Sequence, residues 1–536
     1  MNYLMYKKNE IINSEDRAMY LFTDLDDCEY LRFIYVIKIT NRLHFVISEI
    51  LEADKNVYLS LDDLQPGWKL FSRYKDVSDI EWSSWKYYIK ISWFYILIQF
   101  LVSELIRRYS PSFIKQWYIL SSLTFVCTCL GYKQMIIILI QPVIYATVIN
   151  LGGKKISIWL VSIFLLLSYN SLKYKNLFWT FLEHRELQDE EVYLILFCMA
   201  WVELRCISFS IDFIENKENN RIKPDDCINF LSYVLYLPVL YMGPIILYEE
   251  FEKSYKVQNT DIYPRLLRFL PDIFIFLIYS VCLDFSFHFI YFYAIQNDIE
   301  LVRKMSSIAL CGGGLWMGLE FYLKYVISYG TTGSFARLDN IEAPPTPRCI
   351  ARIHVYSQMW RHFDVGLYRF LVKYIYKPCY VLSSEYINLP KIAYKLLASL
   401  GTFLFIFMWH GMVWHILMWS FLNYLGILME HVGKIISKSD KYVWFKENIL
   451  KTETMEARLV AVLCAPLLGL SAISNFYLFA GSGVGNLFFE YLFQIPTLVN
   501  CVIVCSSLYS CCYVSMALEN VPSRQLIFHN FYKKHL

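Results

Sequence analysis

Charged residues are scarce in this sequence. Asp, Glu, Lys and Arg make up 18% of its 536 residues, whereas soluble globular domains carry about 25%. Hydrophobic residues reach 57%, and the mean hydropathy is +0.37. The formal net charge is only +3, and the sequence has no basic stripe of the kind that nucleic-acid binding needs. The composition therefore excludes an ordinary soluble domain and argues against a nucleic-acid partner.

Cysteines with the spacing of a zinc site are also missing. The 15 cysteines are scattered, they include no pair of CxxC elements, and many stand inside apolar runs. We interpret most of them as buried thiols that pack as small hydrophobic side chains. Residues 1–17 lack the apolar stretch of a cleavable signal peptide. We therefore expect the first membrane segment to act as its own targeting signal.

Long apolar runs recur along the whole chain. A transmembrane helix needs about 20 predominantly apolar residues, and these runs are continuous rather than alternating, which argues against a barrel. We predict an all-α polytopic membrane protein with roughly ten to twelve transmembrane or re-entrant segments. The segments are expected near 28–50, 88–107, 114–131, 134–151, 156–170, 191–214, 265–295, 307–329, 393–408, 412–430, 457–479 and 488–517.

This pattern also predicts the domain organisation. Residues 1–27 form a polar N-terminal segment, and 28–517 form a single multi-span membrane domain. Residues 518–536 form a tail that we expect in the cytosol, and Lys533-Lys534 near its end is similar to a dilysine retrieval signal of the endoplasmic reticulum.

Ionisable residues stand inside several apolar segments, where they are costly and often functional. Glu203 and Arg205 are two residues apart and cannot face each other on a helix, so each is expected to have a separate interior partner. Asp284 and His288 are four apart and share a helix face. For this pair we favour a structural hydrogen bond over catalysis.

Basic residues cluster in sequence before and after residue 340. Lys324 stands four residues after Glu320 on the same helix face, and Arg337, Arg348 and Arg352 follow. These cations suit the phosphates of a nucleotide-bearing donor. They equally suit anchoring at the cytosolic membrane face.

Two apolar stretches are interrupted. Residues 236–244 include Pro238, Gly243 and Pro244, which imply a broken helix that protein must bury or a cavity must border. Residues 365–377 are too short and too charged for a span, so a re-entrant or interfacial helix is expected there.

The most informative stretch runs over residues 344–430. His410 follows some fifteen largely apolar residues; it is either a hydrogen-bonded core histidine or a general base, since a buried neutral imidazole can accept a proton near neutral pH. His415, five residues on, lies off the same helix face, which argues against a zinc pair. Asp364 either pairs with Arg361, three residues earlier, or orients an amine or the histidine.

Cys349 follows the proline-rich loop 344–348. As a lone cysteine it is either an inert thiol or a thiolate that ligates iron, since Arg348 and Arg352 stand close in sequence.

Taken together, these motifs resemble the membrane-bound O-acyltransferase superfamily and, within it, the Hedgehog acyltransferases, which are protein-cysteine N-palmitoyltransferases. The order and spacing of the motifs make the resemblance specific, although each is weak alone. They are Asp79-Ile80-Glu81-Trp82-Ser83, Tyr236-Leu237-Pro238-Val239-Leu240 with Gly243-Pro244, Arg337-Leu338-Asp339, Pro347-Arg348-Cys349, Met359-Trp360-Arg361-His362-Phe363-Asp364-Val365-Gly366-Leu367, Trp409-His410-Gly411, and Leu422-Asn423-Tyr424-Leu425-Gly426 with Glu430.

The resemblance implies a function. It implies an enzyme of the endoplasmic-reticulum membrane that moves palmitate from palmitoyl-CoA to the α-amine of the N-terminal cysteine of a secreted Hedgehog-type signalling protein. Because CoA is cytosolic and the acceptor luminal, the reaction is expected in a tunnel across the bilayer, lined by the broken helices 236–244 and 365–377.

The resemblance also implies roles for six residues. His410 and Asp364 fall on the catalytic positions of this family, and Cys349 falls on the cysteine that ligates the iron of haem b. Trp360 and Arg361 are expected to border the acyl or haem pocket. Asn475 is expected near the thioester.

Three other functions stay open. An O-acyltransferase that acts on a lipid or a serine hydroxyl would share the chemistry at His410, although Asp364 favours an amine acceptor. A non-enzymatic binder of lipidated proteins is the second, and the presence of His410 argues against it. A transporter that uses Glu203, Asp284 and His288 as a proton relay would need two related halves, which the sequence does not show.

Overall fold

The structure is a computed structural model, and it describes residues 63–172, 187–216, 221–256, 261–305, 307–350, 353–493 and 498–519. The predicted N-terminal segment 1–27, the first predicted span 28–50 and the dilysine motif of the tail lie outside these residues.

Helices make up nearly all of the described chain. The helices before residue 305 are α1 (Ile80–Tyr109), α2 (Ile114–Phe125), α3 (Tyr132–Asn150), α4 (Lys155–Leu172), α5 (Asp189–Asn216), α6 (Pro224–Val234), α7 (Tyr248–Lys256), α8 (Tyr263–Ser286), α9 (Phe292–Gln296) and α10 (Ile299–Lys304). The later helices are α11 (Ser307–Leu338), α12 (Tyr356–His362), α13 (Val365–Leu371), α14 (Lys377–Tyr386), α15 (Lys391–Trp409), α16 (Trp414–Ile436), α17 (Asp440–Phe445), α18 (Glu453–Phe493) and α19 (Leu498–Glu519). π-helical turns extend α2, join α13 to α14 and extend α17; they are Val126–Leu130, Val372–Tyr376 and Lys446–Leu450.

Seven helical runs in the described residues are long and apolar enough to cross a membrane. They are α1, the run Pro111–Leu130 that contains α2, α3, α5, α8, α15 and α18. Helices also cover the predicted segments 307–329 and 412–430, as α11 and α16. The predicted class, an all-α polytopic membrane protein, is confirmed, while the number of segments that cross the bilayer stays a prediction.

The helices pack into one bundle. Helix α16 lies against α15 and α18, α18 lies against α19, and α11 lies against α8. On the other side, α5 contacts α1, α3 and α4. Buried residues from α1 to α18 form one continuous apolar core.

A broken helix lies in the middle of this core, as predicted. Between α6 and α7 the chain forms only one 3-10 turn, Leu237–Val239, and residues 232–247 are all buried. Such backbone is tolerated in a membrane protein only when other groups bond its freed carbonyls. We call residues 235–247 the irregular segment.

Side chains from neighbouring helices supply those bonds. Arg205 of α5 donates to the carbonyl of Val234 at 2.9 Å and also to that of Val239. Trp201 Nε1 donates to the Gly243 carbonyl at 2.7 Å. The buried Arg205 therefore neutralises backbone dipoles rather than a carboxylate.

The predicted separation of Glu203 from Arg205 is confirmed. Glu203 Oε1 accepts from the Tyr145 hydroxyl of α3 at 2.6 Å, on a different face of α5. The transporter relay of Glu203, Asp284 and His288 finds no support, because Asp284 pairs with Lys75 and Lys86 instead.

A short hairpin precedes α1. Its strands, β1 (Leu64–Pro66) and β2 (Tyr74–Asp76), pair antiparallel. His288 anchors it, since Nε2 accepts from the Trp68 amide at 2.9 Å while Nδ1 lies 3.0 Å from the Asp284 carbonyl. The structural interpretation of His288 is therefore confirmed, although the Asp284 group that it contacts is the backbone carbonyl.

Lys324 has a structural role. Its Nζ lies 2.8 Å from Asp79 Oδ2, 3.0 Å from Glu81 Oε2 and 3.4 Å from Glu320 Oε1. The predicted pair with Glu320 is confirmed. The prediction that Lys324 binds donor phosphates is wrong, because three carboxylates already surround this buried ammonium.

Candidate active site

His410 ends helix α15. It is the C-cap of that helix, and Gly411 and Met412 then turn the chain into α16 with φ values of +118° and +55°. Glycine suits the first of these positions because it adopts positive φ without steric cost. The imidazole is thus presented from a tight turn rather than from a helix face.

Aromatic rings hold the imidazole on two sides. The Trp409 and Trp419 rings stand edge-on to the His410 ring, at centroid distances of 4.8 and 5.0 Å. His410 is only partly buried. Within the described residues, neither of its ring nitrogens has a hydrogen-bond partner.

Other histidines differ from His410, because a ring nitrogen of each forms a hydrogen bond. His354 Nδ1 lies 3.1 Å from the Ser515 hydroxyl, and His431 Nδ1 lies 2.9 Å from the Ile427 carbonyl. These rings are held by bonds to their own nitrogens, as His288 is. His410 is instead held by ring packing, which leaves both nitrogens available to a substrate.

Trp419 connects His410 to two more of the predicted residues. Its indole lies 5.7 Å from that of Trp360, and its Nε1 donates to Asn475 Oδ1 at 3.4 Å. Trp360 Nε1 donates in turn to Asn423 Oδ1 at 3.1 Å. The structure therefore brings His410, Trp360 and Asn475 together around Trp419.

Helices from the N-terminal half support this cluster. Trp409 Nε1 donates to the Ala200 carbonyl of α5 at 3.2 Å, and its ring lies 5.1 Å from Trp201. Asn170 Nδ2 at the end of α4 donates to the Met408 carbonyl at 3.1 Å. The turn that carries His410 is thus fixed to α4 and α5.

Asp364 begins helix α13. As its N-cap, it accepts from the Leu367 amide through Oδ1 at 2.9 Å. Its other oxygen, Oδ2, accepts from the Tyr329 hydroxyl of α11 at 3.0 Å. The alternative of a salt bridge to Arg361 is wrong, because Arg361 is exposed and Asp364 has these two partners instead.

Contact with the irregular segment fixes the start of α13. A Cβ on Gly366 would stand 2.2 Å from the Ile245 carbonyl oxygen. Only glycine allows this approach. Asp364 is therefore positioned by a fully buried part of the fold.

Cys349 lies on the loop that precedes α12. It is partly buried, and the neighbouring Arg348 amide donates to the His362 carbonyl at 2.9 Å, which ties the loop to the end of α12. In the described part of the chain, no three His, Cys, Asp or Glu side chains form a metal cluster. Ligation of haem iron by Cys349 therefore stays a prediction.

Comparison with known proteins identifies the family. Residues 144–438 match the model of the membrane-bound O-acyltransferase family. The chain belongs to the membrane-bound O-acyltransferase family. The matched residues include His410, Asp364, Trp360, Arg361 and Cys349. They do not include Asn475 of α18.

Individual relatives cover most of the chain. Protein-cysteine N-palmitoyltransferase Rasp of Drosophila melanogaster is 31% identical over 78% of this chain and 81% of its own. Protein-cysteine N-palmitoyltransferase HHAT of Mus musculus is 27% identical over 82% of this chain and 87% of its own. Membrane-bound O-acyltransferase GUP2 of Saccharomyces cerevisiae is 22% identical over 78% of this chain and 75% of its own. The chain is thus similar to members with different names within one acyltransferase family.

Sequence reasoning missed two residues of the site. Trp419 joins three predicted residues, and Tyr329 bonds the predicted carboxylate. Both are aromatic residues in apolar helices, where a core role is the ordinary interpretation. The only signal for Trp419 was its position nine residues after His410, across a glycine turn.

Proposed function

We propose that this membrane-bound O-acyltransferase transfers palmitate from palmitoyl-CoA to the N-terminal cysteine amine of a secreted Hedgehog-type protein. The observation that carries the proposal is the state of His410, whose ring nitrogens have no partner among the described residues while aromatic rings fix its plane. The names of Rasp and HHAT, both protein-cysteine N-palmitoyltransferases, support palmitate as the acyl group and a protein cysteine as the acceptor.

In this mechanism, His410 moves the proton of the attacking group. The acceptor nitrogen forms a bond to the thioester carbonyl carbon while the imidazole takes a proton from that nitrogen. The carbon–sulfur bond then breaks, and the imidazolium returns the proton to the sulfur, so CoA leaves as a thiol. Asn475, which accepts from Trp419 Nε1, is the residue that we assign to orient the thioester.

Asp364 binds and deprotonates the charged amine of the acceptor. An α-amine near neutral pH is largely protonated, and it must lose one proton before it can attack. The Asp364 carboxylate binds this ammonium and accepts that proton. A hydroxyl acceptor carries no such charge, so Asp364 favours the amine.

The proposal includes location and a prosthetic group. We place the enzyme in the endoplasmic-reticulum membrane, with the tail 518–536 in the cytosol, because Lys533-Lys534 is similar to a retrieval signal. Cys349 would hold haem b, and the iron–sulfur bond would tie the proline-rich loop to the prosthetic group. A Soret band that disappears in Cys349→Ala would support this part, and purified protein without the band would contradict it.

The decisive experiment uses the purified protein in detergent with labelled palmitoyl-CoA. The acceptors are a peptide that begins with Cys and the same peptide with an acetylated α-amine. We expect label on the free peptide alone. Thioester turnover into lipid with neither peptide labelled would contradict the proposal and favour an O-acyltransferase.

Two variants test the assigned residues. His410→Ala and Asp364→Ala should each lower transfer by about 10²–10⁴-fold, the usual contribution of a positioned acid or base. His431→Ala is the matched control, because His431 is also partly buried but bonds to its own helix. Normal transfer by both site variants would remove the mechanism.

A further inference from the structure

In the part of the chain that the structure describes, Asp364 is a carboxylate without a cationic partner. Within the described residues, no Lys, Arg or His forms an ion pair with it, although it is partly buried between α11 and α13. Its two hydrogen-bond donors, the Leu367 amide and the Tyr329 hydroxyl, are both neutral. Hydrogen bonds of this kind stabilise the ionised form but leave its negative charge uncompensated.

Neither the arginine that precedes Asp364 in sequence nor the lysine of the facing helix α11 pairs with it. Arg361 points to the exterior, three residues before Asp364. Lys324 stands five residues before Tyr329 on α11, but Asp79 and Glu81 bind its ammonium at 2.8 and 3.0 Å. A counter-ion for Asp364 must therefore come from outside the described part of the chain.

Aromatic rings pack beside this carboxylate. The Tyr325 ring lies 5.0 Å from that of Tyr329 and 5.6 Å from that of Phe363. Phe363 also stacks on Phe321 at 5.4 Å. An organic ammonium suits such a place, because the faces of aromatic rings attract cations.

The two donors also fix the geometry of Asp364. Each oxygen receives one hydrogen bond, from a different helix, so rotation of the carboxylate would break both. Tyr329 is 3% exposed, and its hydroxyl is therefore held in place by packing. Removal of that hydroxyl would leave Oδ2 free to rotate and would weaken the ionised form.

We propose that Tyr329 is a positioning residue that holds Asp364 as an ammonium-binding subsite and so selects an amine over a hydroxyl acceptor. This inference rests on the proposed function, because it assigns the selectivity of the same site. Tyr329 acts through Asp364 and does not itself touch the reacting atoms.

The test compares Tyr329→Phe with wild-type protein. The acceptors are the Cys peptide and its analogue with an α-hydroxyl in place of the α-amine. Loss of one hydrogen bond to a charged group predicts about a tenfold to hundredfold fall in kcat/KM for the amine peptide. The hydroxyl analogue and acceptor-free hydrolysis of palmitoyl-CoA should change little, so the amine preference shrinks.

The pH profile supplies a second readout. Without the Tyr329 hydroxyl, the ionised form of Asp364 is less favoured, so the acidic limb of kcat/KM for the amine peptide should move to higher pH. Tyr145→Phe is the matched control, since it removes a similar phenol bond to a buried carboxylate, Glu203, outside the site. The control should keep the wild-type preference and profile.

Each outcome decides something. Equal losses for amine transfer and hydrolysis, or no loss, would overturn the role of Tyr329 while leaving the proposed function intact. Wild-type protein that prefers the hydroxyl analogue would overturn both. If Tyr329→Phe fails to fold, a competition experiment on wild-type protein replaces it. An untagged Cys peptide should inhibit acyl transfer to a tagged Cys peptide at far lower concentration than a des-amino peptide does. Equal inhibition by the two peptides would overturn the ammonium subsite.

Discussion

At the scale of residues, the environment of a histidine distinguishes a proposed catalytic role from a structural one. His288 and His354 are held through their ring nitrogens, whereas ring packing alone holds His410 among the residues that the structure describes. A reactive imidazole needs a free nitrogen and a fixed plane at the same time. Tryptophan rings fix the plane of the imidazole without bonding to its nitrogens.

Trp419 gives a prediction at this scale. Trp419→Leu removes the ring that stands against His410, so the imidazole can tilt, and we expect kcat to fall about tenfold or more with little change in KM for the peptide. Trp419→Phe keeps an aromatic edge and should retain most of the rate. Steady-state kinetics of both variants check this, and equal rates for Leu and Phe would show that the ring does not orient His410.

Site residues differ in how far the sequence reveals them. Asp364 and His410 stand out because charged or polar groups are rare in apolar surroundings. Tyr329 and Trp419 do not, because an aromatic residue at helical spacing is usually core. Their roles depend on which turn of α11 or α16 meets α13 or α15, and that register is set by packing between distant helices.

At the scale of elements, the start of α13 depends on one close contact. Gly366→Ala would place a Cβ 2.2 Å from the backbone oxygen of Ile245, so the helix must shift and carry Asp364 with it. We expect severe loss of acyl transfer and a lower unfolding temperature. Gly433→Ala is the matched control, because nothing lies within 4 Å of its added methyl group, and it should behave as wild type.

Asp76 of the hairpin makes the stability of the fold depend on pH. Burial raises the pKa of the Asp76 carboxyl to about 6, although its Oδ2 accepts from the Ala294 amide at 3.0 Å. An unfolded Asp has a pKa near 3.9, so between these values the folded state binds more protons. The contribution of Asp76 to the free energy of unfolding is therefore fully present below about pH 4. It falls as the pH rises to about 6 and is constant at higher pH.

Asp76→Asn tests this sign. The unfolding free energy of wild-type protein should lose up to about 3 kcal/mol from this group between pH 4 and pH 6, and that component should be absent from the variant. Thermal unfolding in detergent across this range measures the difference. An identical pH dependence for both proteins would show that Asp76 titrates alike in the folded and unfolded states.

The elements themselves were largely predictable. Apolar runs located the long helices, because a run of about 20 apolar residues has few other stable forms in a bilayer. The short helices α6, α7 and α17 lie in stretches without such a run and were not predicted. The interruption at Pro238 and Pro244 located the irregular segment. The sequence could not show that Arg205 would bond its carbonyls, since that bond depends on how α5 lies beside it.

At the scale of the whole molecule, charge pairing joins parts of the chain that are far apart in sequence. Lys324 of α11 meets Asp79 and Glu81 at the start of α1. Spacing along the chain predicted only the local pair with Glu320. Pairings across hundreds of residues leave no periodic trace, so this part of the fold was beyond sequence reasoning.

Lys324→Met tests the importance of that junction. It leaves buried carboxylates without a cation, and loss of one partner of a buried pair costs about 3–5 kcal/mol. We expect a much lower unfolding temperature and poor yield. Lys434→Met is the control, because its pair with Glu430 is exposed on the lysine side, and exposed pairs contribute about 0–1 kcal/mol.

The Lys324 junction also constrains the order of events during synthesis. Asp79 and Lys324 are 245 residues apart, and ribosomes add about 5–20 residues per second. The start of α1 therefore emerges on the order of ten seconds to a minute before its ammonium partner exists. During that interval its acidic groups must stay protonated, remain near water or be shielded by the insertion machinery, so the final docking of α1 against α11 is a late step of assembly.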